Sequence, residues 1–167
     1  IRPFFPGDMR NDVCVTCTVL SVDYDCAPEV AAMLGASVAL SVSDIPWNGP
    51  IVGLQVGYVD GEYIICPNQE QREKSVLQLT VAGSAEKIVM IEAGADQFPD
   101  DKMLTAIAKG HEEIKRLVSF IRNIKAENFK MPAEYPSQKL PEEMFEDVKE
   151  YARDRVRAAV DTDDKTV

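Results

Sequence analysis

A stretch of small and apolar residues between two prolines most constrains the fold of this chain. It runs from Pro28 to Pro50 and reads PEVAAMLGASVALSVSDIPWNGP. Its larger apolar residues fall on every side of a helix, and small residues fill the positions between them. A helix without a polar face is usually buried, proline suits a first turn, and Pro46 stops the pattern because the residue before a proline leaves the helical region. The stretch therefore predicts a central helix on which a sheet packs.

Length and charge narrow the class of protein. The chain has 167 residues, 46% of them hydrophobic, which fits one domain with a real core and a possible appendage. It contains no run of 18 apolar residues, so the sequence excludes a transmembrane helix, and the start, IRPFFPGDMRNDV, has no apolar leader segment. That start also lacks a methionine, which suggests a piece of a longer protein. The net charge of −10 argues against a general polyanion binder.

The four cysteines raise the question of a zinc site. Cys14 and Cys17 form a C-x2-C, with Cys26 and Cys66 further along the chain. The run around the first pair is β-branched and strand-like, and residues three apart on a strand point to opposite faces. The sequence therefore favours buried free thiols and no metal site.

The rest of the pattern predicts an α+β fold. Val13–Val19 and its neighbours, residues 12–22, predict the first strand, and Asp60-Gly61 predicts a hairpin between two others. A loop is expected at residues 67–75, and a long helix begins near Pro99 with Gly110 at a tight helix–sheet contact. The class is a mixed β-sheet packed against helices, with a tethered C-terminal helix. The further strands are predicted at residues 51–59, 62–66, 76–82 and 87–92, and the last helix at residues 142–159.

Two single residues invite a functional interpretation that the sequence does not favour. His111, the only histidine, lies in the long helix without an implied serine or cysteine partner, so a packing or hydrogen-bonding role is expected. Trp47, the only tryptophan, follows the central helix and is expected to cover the core.

Five motifs, in order and spacing, resemble polynucleotide phosphorylases (polyribonucleotide nucleotidyltransferases). They are IRPFFP, GASVALSVSDIPWNGPI, VGYVDGEYIICP, LTVAGS and KGHEEI. Together they resemble the later half of the first RNase PH-like core domain of that family. This resemblance implies three segments: residues 1–128 as that half domain, residues 129–141 as a proline-containing linker, and residues 142–167 as the start of an all-helical domain.

The resemblance also implies an activity for the parent protein. Family members are trimeric, cytoplasmic enzymes that degrade RNA, including mRNA, from the 3′ end with inorganic phosphate. They release nucleoside diphosphates and need Mg²⁺, which is bound in the second core domain and so outside this chain. RNA, phosphate and two further subunits are thus the implied partners of the parent, without a membrane.

Within this chain the family's catalytic positions are degenerate. The serines that bind phosphate in the active core domain fall, by the resemblance, on Ala27, Pro28 and Glu29. The two aspartates of that domain, counted back from Val81-Ala82-Gly83-Ser84 without gaps, fall on Glu70 and Val76. No hydroxyl remains at the first set, and Val76 can neither hold a metal nor donate a proton. The resemblance therefore implies a non-catalytic, ring-building half.

The remaining candidates and alternatives stay open at the sequence level. Arg2 and Arg10 are the only basic residues among the first 66 and are the candidates for contact with RNA, although the sequence favours a solvated or structural role for each. Two other hypotheses are an active stand-alone RNase PH-type enzyme and an unrelated α+β protein-interaction module without a catalytic role. Phosphate-dependent release of nucleoside diphosphate would identify the former.

Overall fold

A computed structural model describes residues 1–161, so residues 162–167, which end the predicted helical segment, lie outside the described residues. The chain divides into two compact units, Ile1–Pro6 with Asp12–Glu134, and Gly7–Asn11 with Tyr135–Val167. The elements in chain order are a 3-10 helix (Arg2–Phe4), α1 (Pro28–Val42), β1 (Val52–Val59), β2 (Glu62–Ile65), α2 (Gln69–Lys74), β3 (Leu77–Gly83), β4 (Ile88–Ala95), α3 (Asp100–Glu127) and α4 (Glu142–Val160).

The first unit is built on a four-stranded sheet with the order β2-β1-β3-β4. Each neighbouring pair is antiparallel, so the α+β class is confirmed but the sheet is not mixed. The physical reason is the connection through α2, which carries the chain from one side of β1 to the other. Asp60 and Gly61 have φ values of 51° and 90°, as expected for the predicted two-residue hairpin turn.

The main core lies between the sheet and α3. Alternate residues of β1 and β3 point toward the helix and are fully buried, among them Leu54, Val56 and Val81. The helix supplies a stripe of buried residues three or four positions apart, Ala106, Gly110, Ile114, Val118 and Ile121. None of the helices within residues 1–161 has the length and apolarity to cross a lipid bilayer.

The central helix exists but is less buried than its composition predicts. It packs against β1 and α3, and it buries Ser37, Leu40 and Ser41, whereas Ala31, Gly35 and Ala39 are not buried. It also ends at Val42, before Pro46, because the Ser43 hydroxyl donates to the Leu40 carbonyl at 2.9 Å and accepts from a later amide. Small residues permit close packing on every side, but they do not specify which sides are covered.

Two local predictions were wrong. Residues 12–22 form no strand in the structure, because a β-branched run is stable as a strand only when its backbone pairs with another strand. Residues 67–75 are not a plain loop, since α2 lies within them. The Asn68 side chain accepts from the Gln71 amide, and the Gln71 side chain accepts from the Asn68 amide, both at 2.9 Å. This capping box was readable from the N-x-x-Q spacing.

The predictions for the two single residues were correct. Trp47 is buried with Leu40 and Ile51 in a second small core, and its ring N–H donates to the Ile1 carbonyl at 3.3 Å. His111 has its Nε2 atom 3.1 Å from the Ser84 carbonyl oxygen. Both side chains therefore tie loops to the unit, Trp47 at the exit of α1 and His111 at the β3–β4 connection.

The side chain of Asp8 joins the two segments of the second unit. Asp8 accepts hydrogen bonds from the Ser137 hydroxyl and, at 2.9 Å, from the Tyr135 hydroxyl. The hydrogen bond from Ser137, followed by that from Tyr135, lowers the pKa of Asp8. The same hydrogen bond to Asp8 raises the pKa of Tyr135. Because the folded-state pKa of Asp8 lies below the unfolded value, this stabilisation is present above about pH 4 and is lost as the pH falls through the folded-state pKa.

We expect Asp8→Ala to lower the pKa of Tyr135 toward its ordinary value of about 10, because the phenol then loses its acceptor. The measurement is an NMR titration of the Tyr135 ring carbons between about pH 8 and pH 12. Asp12→Ala is the control, since it removes a nearby exposed carboxylate and should leave the Tyr135 titration unchanged. An unchanged titration in Asp8→Ala would contradict the hydrogen bond.

Candidate functional site

The start of α1 is the first of the two places where the family resemblance predicts degenerate catalytic positions. Ala27 is the N-cap residue and forms no side-chain cap hydrogen bond, Pro28 is the first helical residue, and Glu29 lies in the first turn. Glu29 is exposed. A helix N-terminus favours an anion when its amides are free and hydroxyls assist. Here the side chains offer a methyl group, a proline ring and a carboxylate, which would repel an anion.

The second pair of predicted positions lies around α2. Glu70 is exposed in the first turn of α2, and one of its carboxylate oxygens lies 2.6 Å from the Lys74 ammonium. The hydrogen bond and charge of Lys74 lower the pKa of Glu70, so this carboxylate stays ionised and is unsuited to act as a general acid near neutral pH. Val76 lies between α2 and β3 with 45% of its surface exposed, and its side chain has no polar atom.

The structure brings these two regions into contact. The Gln69 amide at the start of α2 donates to the Asp25 carboxylate at 3.3 Å. Arg72, one turn later, donates to the Tyr24 carbonyl and, at 2.7 Å, to the Pro67 carbonyl. The loop that leads into Ala27 is therefore fastened to the helix that carries Glu70, although the two lie about 40 residues apart in sequence.

A polar cleft lies beside this contact, on the sheet face that points away from α3. Its floor is a row of paired residues across three strands: Gln55 on β1 faces Thr80 on β3, which faces Glu92 on β4. A second row places Gly57 opposite Gln78, with Gly94 as the next residue across. Directly paired residues share one face of an antiparallel sheet, so these polar side chains lie on the same face.

The walls of the cleft come from the α2 region. Arg72, Pro67 and Ser75 line it together with the first row and with Gln78 and Gly94 of the second, and its volume is about 430 Å³. This site was not predicted from the sequence. The signal available was the polar half of the alternation in β3, where Gln78 and Thr80 interrupt leucines, but a single strand does not show which residues face it across the sheet.

Arg2 and Arg10 lie in different compact units. Arg2 is exposed at the start of the 3-10 helix. Arg10 is also exposed, and its guanidinium donates to the Gly7 carbonyl at 2.7 Å and to the Met9 carbonyl at 3.1 Å. Contact with RNA therefore remains a prediction for both, and Arg10 also has a local structural role.

The cysteines differ from the prediction in their burial. Cys14, Cys17, Cys26 and Cys66 are free, as expected, but all four are exposed. The reason for the first pair is that residues 12–22 do not join the sheet. Within residues 1–161, no group of three or more histidine, cysteine, aspartate or glutamate side chains is placed to hold a metal ion.

Residues 49–113 match the family described as 3′ exoribonuclease family, domain 2. The polyribonucleotide nucleotidyltransferase of Ruminiclostridium cellulolyticum is 58% identical over 165 residues, which are 99% of this chain and 24% of that protein. The protein of the same name from Clostridioides difficile is 52% identical over 99% of this chain and 24% of its own length. Nearly all of this chain is similar to a segment of polyribonucleotide nucleotidyltransferases. The family resemblance of the five motifs is thereby confirmed.

The chain spans about a quarter of the length of these curated relatives. The crystal structure of rice (Oryza sativa) Rrp46 matches with a TM-score of 0.55 and 16% identity, over 63% of this chain and 51% of that chain. At that identity the match shows the fold alone, and it supports the α+β arrangement of the sheet and helices. The matched residues 49–113 contain the whole sheet and the first half of α3.

Proposed function

We propose that this chain is the non-catalytic, ring-building part of a phosphorolytic 3′-to-5′ exoribonuclease that takes part in mRNA degradation. The similarity to polyribonucleotide nucleotidyltransferases supports the enzyme class of the parent. The side chains at the start of α1 support the absence of catalysis in this segment. The division into residues 1–128, 129–141 and 142–167 remains part of the proposal.

One observation carries the non-catalytic assignment. At the N-terminus of α1, Ala27, Pro28 and Glu29 provide no hydroxyl donor for an attacking phosphate. A phosphate placed there would meet the Glu29 carboxylate, and like charges at close range are unfavourable. At the two aspartate positions of the resemblance, Glu70 is paired with Lys74 and Val76 is apolar.

The parent's partners and cofactor follow from the same proposal. RNA and inorganic phosphate are its substrates, Mg²⁺ binds in another domain, and three copies of the parent form a ring in the cytoplasm. Arg2 and Arg10 are the proposed RNA contacts of this segment. Their contribution is electrostatic, so removing either one should lower the salt dependence of RNA binding by about one counterion.

We expect the 167-residue chain to release no nucleoside diphosphate from poly(A) in the presence of phosphate and Mg²⁺. The measurement is chromatography of released ADP over several hours. The full-length relative from Ruminiclostridium cellulolyticum, assayed in parallel, is the positive control. Phosphate-dependent ADP release by this chain alone would overturn the non-catalytic assignment and favour a stand-alone enzyme.

The alternative is an α+β protein-interaction module without a catalytic role. This alternative also predicts no enzymatic activity for the chain, so a second measurement must distinguish it from the ring-building role. Co-purification of this chain with the remaining domains of a full-length relative, expressed separately, would support the ring-building role. Failure to associate, together with stoichiometric zinc in the purified chain, would favour the alternative.

A further inference from the structure

The outer edge of β4 is an exposed strand edge that the proposed function does not use. β4 is the last strand in the sheet order, and its residues from Val89 to Ala95 are exposed. An edge strand presents N–H and C=O groups with which a further strand can pair, and proline or lysine usually protects such an edge. β4 contains neither residue, and its one charged side chain is Glu92. This edge therefore has the properties of a pairing surface.

A hydrogen bond at the end of β4 shows which backbone groups point outward. The Asp96 N–H donates to the Val76 carbonyl of the β3 side at 3.1 Å. These two residues continue the register of the β3–β4 pair, and backbone groups alternate in direction along a strand. Glu92 and Gly94 therefore also direct their backbone groups toward β3. The residues whose N–H and C=O groups point away from the sheet are Ile91, Ala93 and Ala95.

We propose that this edge pairs with the same edge of a second copy of the chain. The two strands run antiparallel about a twofold axis at Ala93, which faces Ala93 of the second copy, while Ile91 faces Ala95. Every residue with outward backbone groups then meets another such residue, as a hydrogen-bonded antiparallel pair requires. A twofold contact uses the same surface on both copies, so the assembly closes at a dimer.

Charge and strand regularity select this register among its neighbours. An axis at Glu92 would set the two Glu92 carboxylates directly opposite each other, which is unfavourable. An axis at Ile91 would set Ala93 opposite Val89, beside the irregularity in the β3–β4 pairing, where the backbone alternation is interrupted. With the axis at Ala93, Glu92 faces Gly94 of the second copy. A Cβ atom on Gly94 would meet nothing within 4 Å, so the carboxylate has room there.

The side chains beside the edge also favour a second β4 over the other edge strand. Ile91 pairs within the sheet with Val81, whose side chain is fully buried, yet Ile91 is 50% exposed. The second copy would place Ala95 beside Ile91 and so remove apolar surface from water. The opposite edge strand, β2, has only four residues, and a contact between β4 and β2 of different copies would continue into an open filament.

The first test is analytical ultracentrifugation of the 167-residue chain between about 1 μM and about 1 mM. We expect a reversible monomer–dimer equilibrium with a Kd below about 1 mM. Because each copy carries a net charge of −10, dimerisation should strengthen when the salt concentration rises from about 50 mM to about 500 mM. A monomer throughout the concentration range, or assembly beyond the dimer, would overturn the proposal.

Amide hydrogen exchange followed by NMR locates the contact without any substitution. The amides of Ile91, Ala93 and Ala95 should exchange faster in dilute than in concentrated samples, because only the dimer gives them acceptors. The amides of Glu92 and Gly94 already bond to β3 and should be protected at both concentrations. A dimer in which the three outward amides show no such concentration dependence would place the interface elsewhere and rule out the β4 pairing.

The variant Ala93→Pro removes the N–H at the twofold axis. Proline is tolerated on an edge strand where the N–H faces away from the sheet, so β4 should remain paired with β3, and protection of the Gly94 amide verifies this. Dimerisation should weaken at least about tenfold. Ala93→Ser, which keeps the N–H, is the matched control and should dimerise like the unsubstituted chain. Equal dimerisation of the two variants would contradict the proposed axis.

The dimer does not depend on the proposed function. Its formation needs no RNA, phosphate or Mg²⁺, and it is measured by mass and amide exchange. The non-catalytic assignment is tested by ADP release from poly(A), so failure of one proposal is distinguishable from failure of the other.

Discussion

Replacing Leu54 with alanine is expected to lower the free energy of unfolding by about 2–5 kcal/mol. Leu54 lies in the middle of β1, is fully buried and pairs across the sheet with Val81. Truncation removes apolar contacts and leaves a cavity, because sheet and helix backbones on both sides prevent full collapse. Urea unfolding followed by circular dichroism measures the change through the midpoint at constant slope.

The matched control is Leu104→Ala on α3. Leu104 is 68% exposed, and alanine favours a helix at least as well as leucine. The expected change in unfolding free energy is within about 0.5 kcal/mol. Equal effects of the two substitutions would show that the β1 face does not form the core.

The second large effect is expected from Gly110→Leu. A Cβ atom at Gly110 would lie 3.2 Å from a Val56 methyl carbon, 3.4 Å from one of Val81 and 3.5 Å from one of Leu54. The remaining atoms of leucine would have to displace these side chains or push α3 off the sheet. Overpacking a core typically costs about 1–3 kcal/mol and occasionally more. Contact with three core side chains puts this variant at the upper end of that range, above the gain of about 1 kcal/mol from replacing a helical glycine.

Ala108→Leu provides the control for helix propensity and size. Ala108 lies on the exposed side of the same helix, so the added atoms meet solvent and stability should change by less than about 0.5 kcal/mol. Thermal and urea unfolding of both variants give the comparison. A Gly110→Leu variant as stable as Ala108→Leu would contradict the close approach of α3 to β1 and β3.

Local sequence patterns predicted those parts of the fold that interactions between neighbouring residues determine. The Asp60-Gly61 turn, the strand at residues 76–82 and the long helix from Pro99 each depend on residues a few positions apart, and each was recovered. The run at residues 12–22 was predicted wrongly because a strand needs a partner that its own residues do not reveal. The α2 helix was missed although Asn68 and Gln71 carry a capping signature, since its polar composition suggested a loop.

The candidate sites also divide into features that nearby residues determine and features that depend on distant residues. The absence of hydroxyls at Ala27, Pro28 and Glu29 is a property of the residues themselves, so the family resemblance alone identifies the position. The cleft depends on register, because Gln55, Thr80 and Glu92 meet only when three strands pair in one particular alignment. A shift of one residue in that alignment would turn those side chains to the opposite face.

The sequence by itself therefore determined the family resemblance, the α+β class, the hairpin, the long helix and the absence of hydroxyl side chains at Ala27, Pro28 and Glu29. Only the tertiary structure decided how much of α1 is covered, that the sheet is antiparallel throughout its four strands, and that Arg72 fastens the loop before Ala27. The physical reason is the sequence distance over which the interactions act. Turns, caps and side-chain chemistry are fixed by neighbouring residues. Burial, strand order and a cleft depend on contacts between residues far apart in the chain. The small residues from Pro28 onward allowed close packing on every side, and the fold used β1 and α3.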